Sequence, residues 1–177
     1  MRALVWVLVA LFAAVAVQTA LRGRHGEVRA ARQAMVVDGL LESGTVSRAR
    51  LVAAVDLLLR CERVDGAVED LWTTAQARQV QQDAVVRLDV SAMQSGAEVR
   101  RLLAVSLERS LETDYAFLDW ALTVQREGCR STGRAAMAYS KALYATERST
   151  AAKRDFIRCW DRVATTYGLR LRTENDL

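Results

Sequence analysis

None of the 177 residues is proline, and that absence narrows the fold more than any motif does. At an average usage of about 5%, a chain of this length would hold roughly nine. Proline breaks helix interiors but suits turns and edge strands. A chain that lacks it, and is rich in Ala, Leu, Arg, Gln and Glu, favours long uninterrupted helices. No alternating apolar and polar stretch of useful length marks a strand, and no segment repeats. The expected fold class is therefore all-α: one N-terminal transmembrane helix followed by a bundle of about three long antiparallel helices.

The transmembrane expectation rests on residues 3–21, ALVWVLVALFAAVAVQTAL, which carry no charge. As a helix rising about 1.5 Å per residue, this run covers roughly 28 Å, close to the hydrocarbon thickness of a bilayer. Trp6 stands near one end, where an aromatic anchor is common. A cleavable signal peptide competes with this reading. Gln18-Thr19-Ala20 is a poor cleavage site, however, and Ala14-Val15-Ala16 only an acceptable one. A transit peptide fits less well, because the stretch is too apolar and too poor in serine. Arg2 precedes the run, whereas Arg22, Arg24, Arg29 and Arg32 follow it. The positive-inside rule then sets the body on the cytoplasmic or matrix face of a bacterial or organellar membrane. The same four arginines are the candidate contacts for anionic lipid headgroups, at about 1 kcal/mol each.

Glycine and small polar residues punctuate the body near 40–46, 92–96 and 128–133. They leave helical stretches at roughly 46–91, 97–127 and 131–167. The expected organisation is an anchor at 1–24, a basic juxtamembrane hinge and helix at 25–45, a bundle at 46–168 and a tail at 169–177. Along the last stretch Tyr139, Leu143, Thr146, Thr150, Lys153, Ile157, Trp160, Ala164 and Tyr167 recur at steps of four and three. This is a coiled-coil-like seam with a polar middle. A second seam, Val99, Leu103, Leu107, Leu111, Tyr115, Leu118 and Leu122, has a mean step longer than 3.6 and drifts around its helix. If 97–127 folds back along 46–91, residue 97+k faces residue 91−k. Cys61 then lies level with Cys129, Trp72 shares a layer with Trp120, and Trp160 stands near Val90. An unbroken pairing would push the charged residues Glu69, Asp70 and Arg78 toward the bilayer, so the chain must bend. Gly23-Arg24-His25-Gly26 and Gly66 are the expected hinges.

The chemistry-bearing residues are sparse. His25 is the single histidine, which leaves no Ser-His-Asp or Cys-His arrangement in the body and too few histidines for a di-iron bundle. No haem-attachment, phosphate-loop or dinucleotide motif occurs, so no cofactor and no metal is expected. Glu62, Asp65 and Glu69, and Glu108 with Glu112, fall on helical faces beside Arg60, Arg63, Arg101 and Arg109, and read as solvated ion pairs. Cys61, Cys129 and Cys159 lack metal-ligand spacing. On the reducing face of a membrane they are expected as buried free thiols. One disulfide, between Cys61 and Cys129, is conceivable if the orientation is reversed.

The net charge of +4 is carried almost wholly by arginine, with Lys141 and Lys153 the two lysines. Neither a zinc-finger spacing nor a helix-turn-helix accompanies it, so nucleic acid is not an expected partner. The leading expectation is a non-enzymatic, membrane-anchored accessory or scaffold subunit of a larger membrane complex, an energy-transducing membrane being one setting. Its partners are then lipids and other subunits. Two alternatives stand beside it. One is a ligand-binding or sensor bundle, which requires the body outside the cell and a pocket between helices. The other is a secreted helical protein after signal removal.

Overall fold

A computed structural model describes residues 25–129 and 133–177 with their side chains. Four helices follow one another: α1 (Arg2–Leu59), α2 (Val64–Val86), α3 (Gly96–Glu127) and α4 (Gly133–Tyr167), with a short 3-10 turn at Glu174–Asp176. Among the described residues there is no strand. The apolar run at 3–21 and the side chains of Arg22 and Arg24 lie outside those residues. Among the helices that are described, none is long and apolar enough to cross a membrane.

The body is a four-helix arrangement instead of the three-helix one expected, because the first break falls elsewhere. α1 runs unbroken through Gly39–Ser47 and ends at Leu59. The chain reverses at Arg60–Arg63, where Cys61 and Arg63 take positive φ of 59° and 48°. A mid-helix glycine costs only about 1 kcal/mol relative to alanine, and packing outweighs that here. A Cβ on Gly44 would meet the Leu177 main chain at 3.5 Å, an ordinary contact, and the C-terminal segment docks directly against the helix at this point. Ser43 and Ser47 lie inside the same helix, with Ser47 buried. Ser43 Oγ donates to the Leu40 carbonyl and accepts from Gln81 Nε2 of α2. Gly66 and Gly26, expected as hinges, lie inside α2 and α1.

Successive helices run antiparallel. Arg29 of α1 pairs with Asp89 just past the end of α2, Asp65 of α2 accepts from Gln125 of α3, and Ser110 of α3 meets Ser149 of α4. The α2–α3 register lies within a few residues of the one read from the sequence. Trp72 nevertheless does not share a packed layer with Trp120. It is 50% exposed, whereas Trp120 is 6% exposed and packs against Phe117 and Tyr139. The buried stripe of α2 is Ala67, Leu71, Thr74, Arg78, Gln81 and Val85. One residue past Leu71, a turn of about 100° carries Trp72 out of that stripe.

Two apolar clusters form the core. One gathers Val37, Leu41, Val85, Val90, Met93, Val99, Phe156 and Trp160, so Trp160 does lie with Val90. The other gathers Ala54, Leu58, Leu71, Phe117, Trp120, Ala121 and Ala138. The α3 seam drifts as its long step implies: Val99 through Leu111 and Leu118 are buried, but Tyr115 and Leu122 turn outward. A buried polar layer containing Arg78, Gln81, Ser110, Asp114, Ser149 and Lys153 adds to these clusters. Residues 169–177, expected as a tail, pack onto α1. Arg172 donates to Asp38 Oδ1 at 2.6 Å and to Glu42 Oε2 at 2.8 Å, and Leu177 is fully buried.

Candidate functional site

The polar layer does not close. Between α1 and α4, with α3 as floor, a cavity of about 310 Å³ remains, a size that suits a small organic molecule. Its apolar walls come from Leu51, Val52, Val55 and Leu59 of α1 and from Tyr139 and Leu143 of α4. Its polar side comprises Arg48 of α1, Arg78 of α2, Ser110, Thr113 and Asp114 of α3, and Thr146, Ser149, Thr150 and Lys153 of α4. Of the α4 contribution, Thr146, Thr150 and Lys153 are the polar middle of the seam visible in the sequence, and Ser149 stands beside it. Three hydroxyls and one ammonium at core register cannot knit tightly with an aliphatic α1 face. The helices stand apart where those two surfaces meet.

Each ionic group has a definite place. Arg78 Nε donates to Asp114 Oδ2 at 3.3 Å and Nη1 donates to Gln81 Oε1 at 3.3 Å. Both members of the Arg78–Asp114 pair are almost fully buried. Burial pushes the Asp114 carboxyl up, and the charges of Arg78 and Lys153 oppose that push. Lys153 Nζ donates to the main-chain oxygen of Leu177 at 2.5 Å. Burial, helped by the positive charges of Arg78 and Arg48, brings its ammonium down from 10.5 to about 7, while Asp114 works the other way. At the rim, Arg48 Nη2 donates to Asn175 Oδ1 at 2.7 Å, and Asp56 is bound to Arg60. Protonated, Lys153 is a buried cation that can hold an anion. Neutral, it is an amine able to accept a proton.

Thr113, Thr146 and Ser110 each donate their single proton to the carbonyl four residues earlier. They therefore offer lone pairs, not protons, to the cavity. The lining also holds the Lys153 ammonium, the Arg48 and Arg78 guanidinium groups, and the Tyr139, Ser149 and Thr150 hydroxyls.

A disulfide joins Cys61, in the α1–α2 turn, to Cys129, just past α3, with Cα atoms 5.8 Å apart. The expectation of three buried free thiols is corrected on this point. The level matching that put the two cysteines at one height was right, and both sit in exposed turns where the chain reverses. Cys159 alone is free, and it is buried.

The four arginines singled out as lipid contacts are not brought together as one described patch. Arg22 and Arg24 fall outside the described side chains. Arg29 binds Asp89 at 3.0 Å and donates to Ser91 Oγ, while Arg32 is exposed. The Ser91 main-chain N–H and hydroxyl, with Arg29, hold the Asp89 carboxyl far below the usual carboxylate range. Arg29 thus fastens the α2–α3 connection to α1. Of the carboxylate rows, Glu62 pairs with Arg60 and Glu112 with Arg109, as solvated pairs do. Among the described residues no group of three His, Cys, Asp or Glu side chains could hold a metal ion.

Sequence reasoning passed over Arg78 and Asp114, and it placed Lys153 in a seam without assigning it a task. A signal was present: a chain that uses arginine almost everywhere places one of its two lysines at a core position. No protein-family model, curated protein or solved structure matches this chain.

Proposed function

We propose that this protein is a membrane-anchored, ligand-binding helical bundle whose body works in an oxidising compartment. The observation that carries the reading is the cavity between α1 and α4, with an aliphatic and aromatic wall facing a buried ionic one. Such a combination of apolar surface and a few convergent polar groups is the usual make-up of a small-molecule site. The proposed activity is recognition without chemistry. Asp114, the carboxyl nearest Lys153 in the cavity lining, is engaged by Arg78.

The compartment follows from the disulfide. Bonds between exposed cysteines persist outside the reducing cytosol and are rare within it. The arginine flank after residue 21 argues for the opposite face, and the two signals conflict. We follow the disulfide, because a positive-inside bias is a tendency and a reducing cytosol acts on every exposed bond. The anchor remains the run 3–21, as a signal anchor with the body translocated.

Saturation binding of 2-phenylethanol to the full chain in nanodiscs tests the site. Val55→Trp and Leu143→Trp should each fill the cavity and abolish binding while leaving the helical content unchanged. Binding that survives both substitutions defeats the reading.

The accessory-subunit reading keeps one specific support. Val28, Met35, Val36, Trp72, Val80 and Val86 are exposed on α1 and α2, and exposed apolar surface marks contact sites. Blue-native electrophoresis of the detergent-extracted native protein tests it. Comigration with a large complex favours a subunit, and a lone species favours the ligand-binding reading.

A further inference from the structure

Each charge that lines the cavity already has a partner within the chain. Arg78 is bonded to Asp114 inside the polar wall, and Asp56 to Arg60 at the rim. Lys153 Nζ binds Leu177 at 2.5 Å, through an oxygen that on the last residue of the sequence belongs to a carboxylate. Arg48 donates to Asn175 Oδ1, and its charge acts on the neighbouring Glu174 carboxylate. The ionic side of the cavity is thus a set of closed pairs.

The small hydroxyls of the wall are committed as well, but in one direction. Thr113, Thr146 and Ser110 donate to the carbonyls of Arg109, Ala142 and Ser106. Because the Ser110 proton is on the Ser106 carbonyl, Ser149 is the donor in the 3.1 Å contact between the two serines. Lone pairs remain on the threonine oxygens that face the cavity. Tyr139 and Thr150 add hydroxyl groups that can rotate to meet a guest.

Resting on the ligand-binding reading above, we infer that the guest is a small neutral alcohol or phenol, an apolar or aromatic body that carries a hydroxyl group. Its body lies against Leu51, Val55 and Leu143, and its hydroxyl meets the Thr113 and Thr146 oxygens.

Three physical points favour this class. A charged guest would leave water without gaining a free counter-ion. To find one it would have to break a buried pair and strand the displaced partner, and both alternatives are costly. A neutral guest meets neither cost. A hydroxyl both donates and accepts, so it can give its proton to Thr113 or Thr146 and take one from Tyr139 or Thr150. A pure hydrocarbon would leave those buried polar groups facing apolar surface. The volume of about 310 Å³ and the aliphatic α1 wall suit a compact apolar body.

The test is calorimetry of the full chain in nanodiscs at pH 7, with heats into empty nanodiscs subtracted. Three probes share one shape and differ in charge: 2-phenylethanol, phenylacetate and phenethylammonium. 2-Phenylethanol is expected to bind at least tenfold more tightly than either ion. Replacing Thr113→Val and Thr146→Val together should weaken 2-phenylethanol binding by about fivefold or more. Either ion binding as tightly as the alcohol overturns the neutral-guest inference while the cavity reading stands. Unchanged alcohol binding in the double variant overturns the hydroxyl contact. Failure of all three probes overturns both the inference and the cavity reading. The probe series needs no substitution, so the inference stays falsifiable even where the double variant folds poorly.

Discussion

Trp72 and Trp120 occupy nearly the same height along the bundle, and their energetics should differ sharply. Trp120 is buried among Phe117 and Tyr139, so Trp120→Ala should cost about 3–5 kcal/mol in a urea titration. Trp72 is half in water, and Trp72→Ala should cost much less, within about 1 kcal/mol. Lys153 gives a second residue-scale expectation through proton linkage. Its folded pKa of about 7 lies below the unfolded 10.5, so between those values the unfolded chain binds more protons. Stability should therefore rise with pH from about 7 toward about 10.5. Urea midpoints at pH 6.5 and 9.5 should show that rise in the native chain and lose most of it in Lys153→Met. A pH profile common to both proteins would mean that the ammonium is not buried as described.

The glycines and the C-terminal segment act at the scale of elements. At the start of α3 a Cβ on Gly96 would lie 2.2 Å from the Val90 carbonyl oxygen. The α2–α3 connection folds so closely over the helix that no side chain fits. Gly96→Ala should cost about 1–3 kcal/mol, because backbone would have to move. Residues 169–177 behave as a wedge, not a tail. The Leu177 main chain rests against Gly44, the Arg172 guanidinium grips Asp38 and Glu42, and Thr173 and Asp176 close a capping box. Leu177→Ala should cost about 2–5 kcal/mol. The seam of α4 was legible as a periodic row with a polar centre. That this centre lines an opening was not, since a seam records which face is inward and not what stands opposite. The same limit explains Trp72: heptad arithmetic gives height, whereas the angle around α2 depended on the break at Arg60–Arg63.

For the whole molecule the disulfide is the decisive cross-link. It closes a loop whose ends are 68 residues apart, and by chain entropy it should contribute about 4 kcal/mol. Reduction, or Cys61→Ser with Cys129→Ser, should lower stability by about 2–4 kcal/mol with the helical content retained. Alkylation of native-source protein in denaturant without reductant should add one label, at Cys159. Three labels would return the body to a reducing compartment and remove the main support for the proposed location. Without proline, with glycine-marked turns and apolar faces at helical spacing, the sequence by itself determined an all-helical chain, the ends of α3, and the pairing height of Cys61 with Cys129. These follow from local propensity and from the fixed rise per residue, which need no knowledge of neighbours. Only the tertiary structure decided that α1 continues through Gly39 and Gly44, that Arg78 and Asp114 meet between helices, and that α1 and α4 stand apart over Lys153. Those outcomes depend on which side chains face each other across helices, and packing between distant segments outweighs the preference of about 1 kcal/mol that a single glycine or polar residue expresses locally.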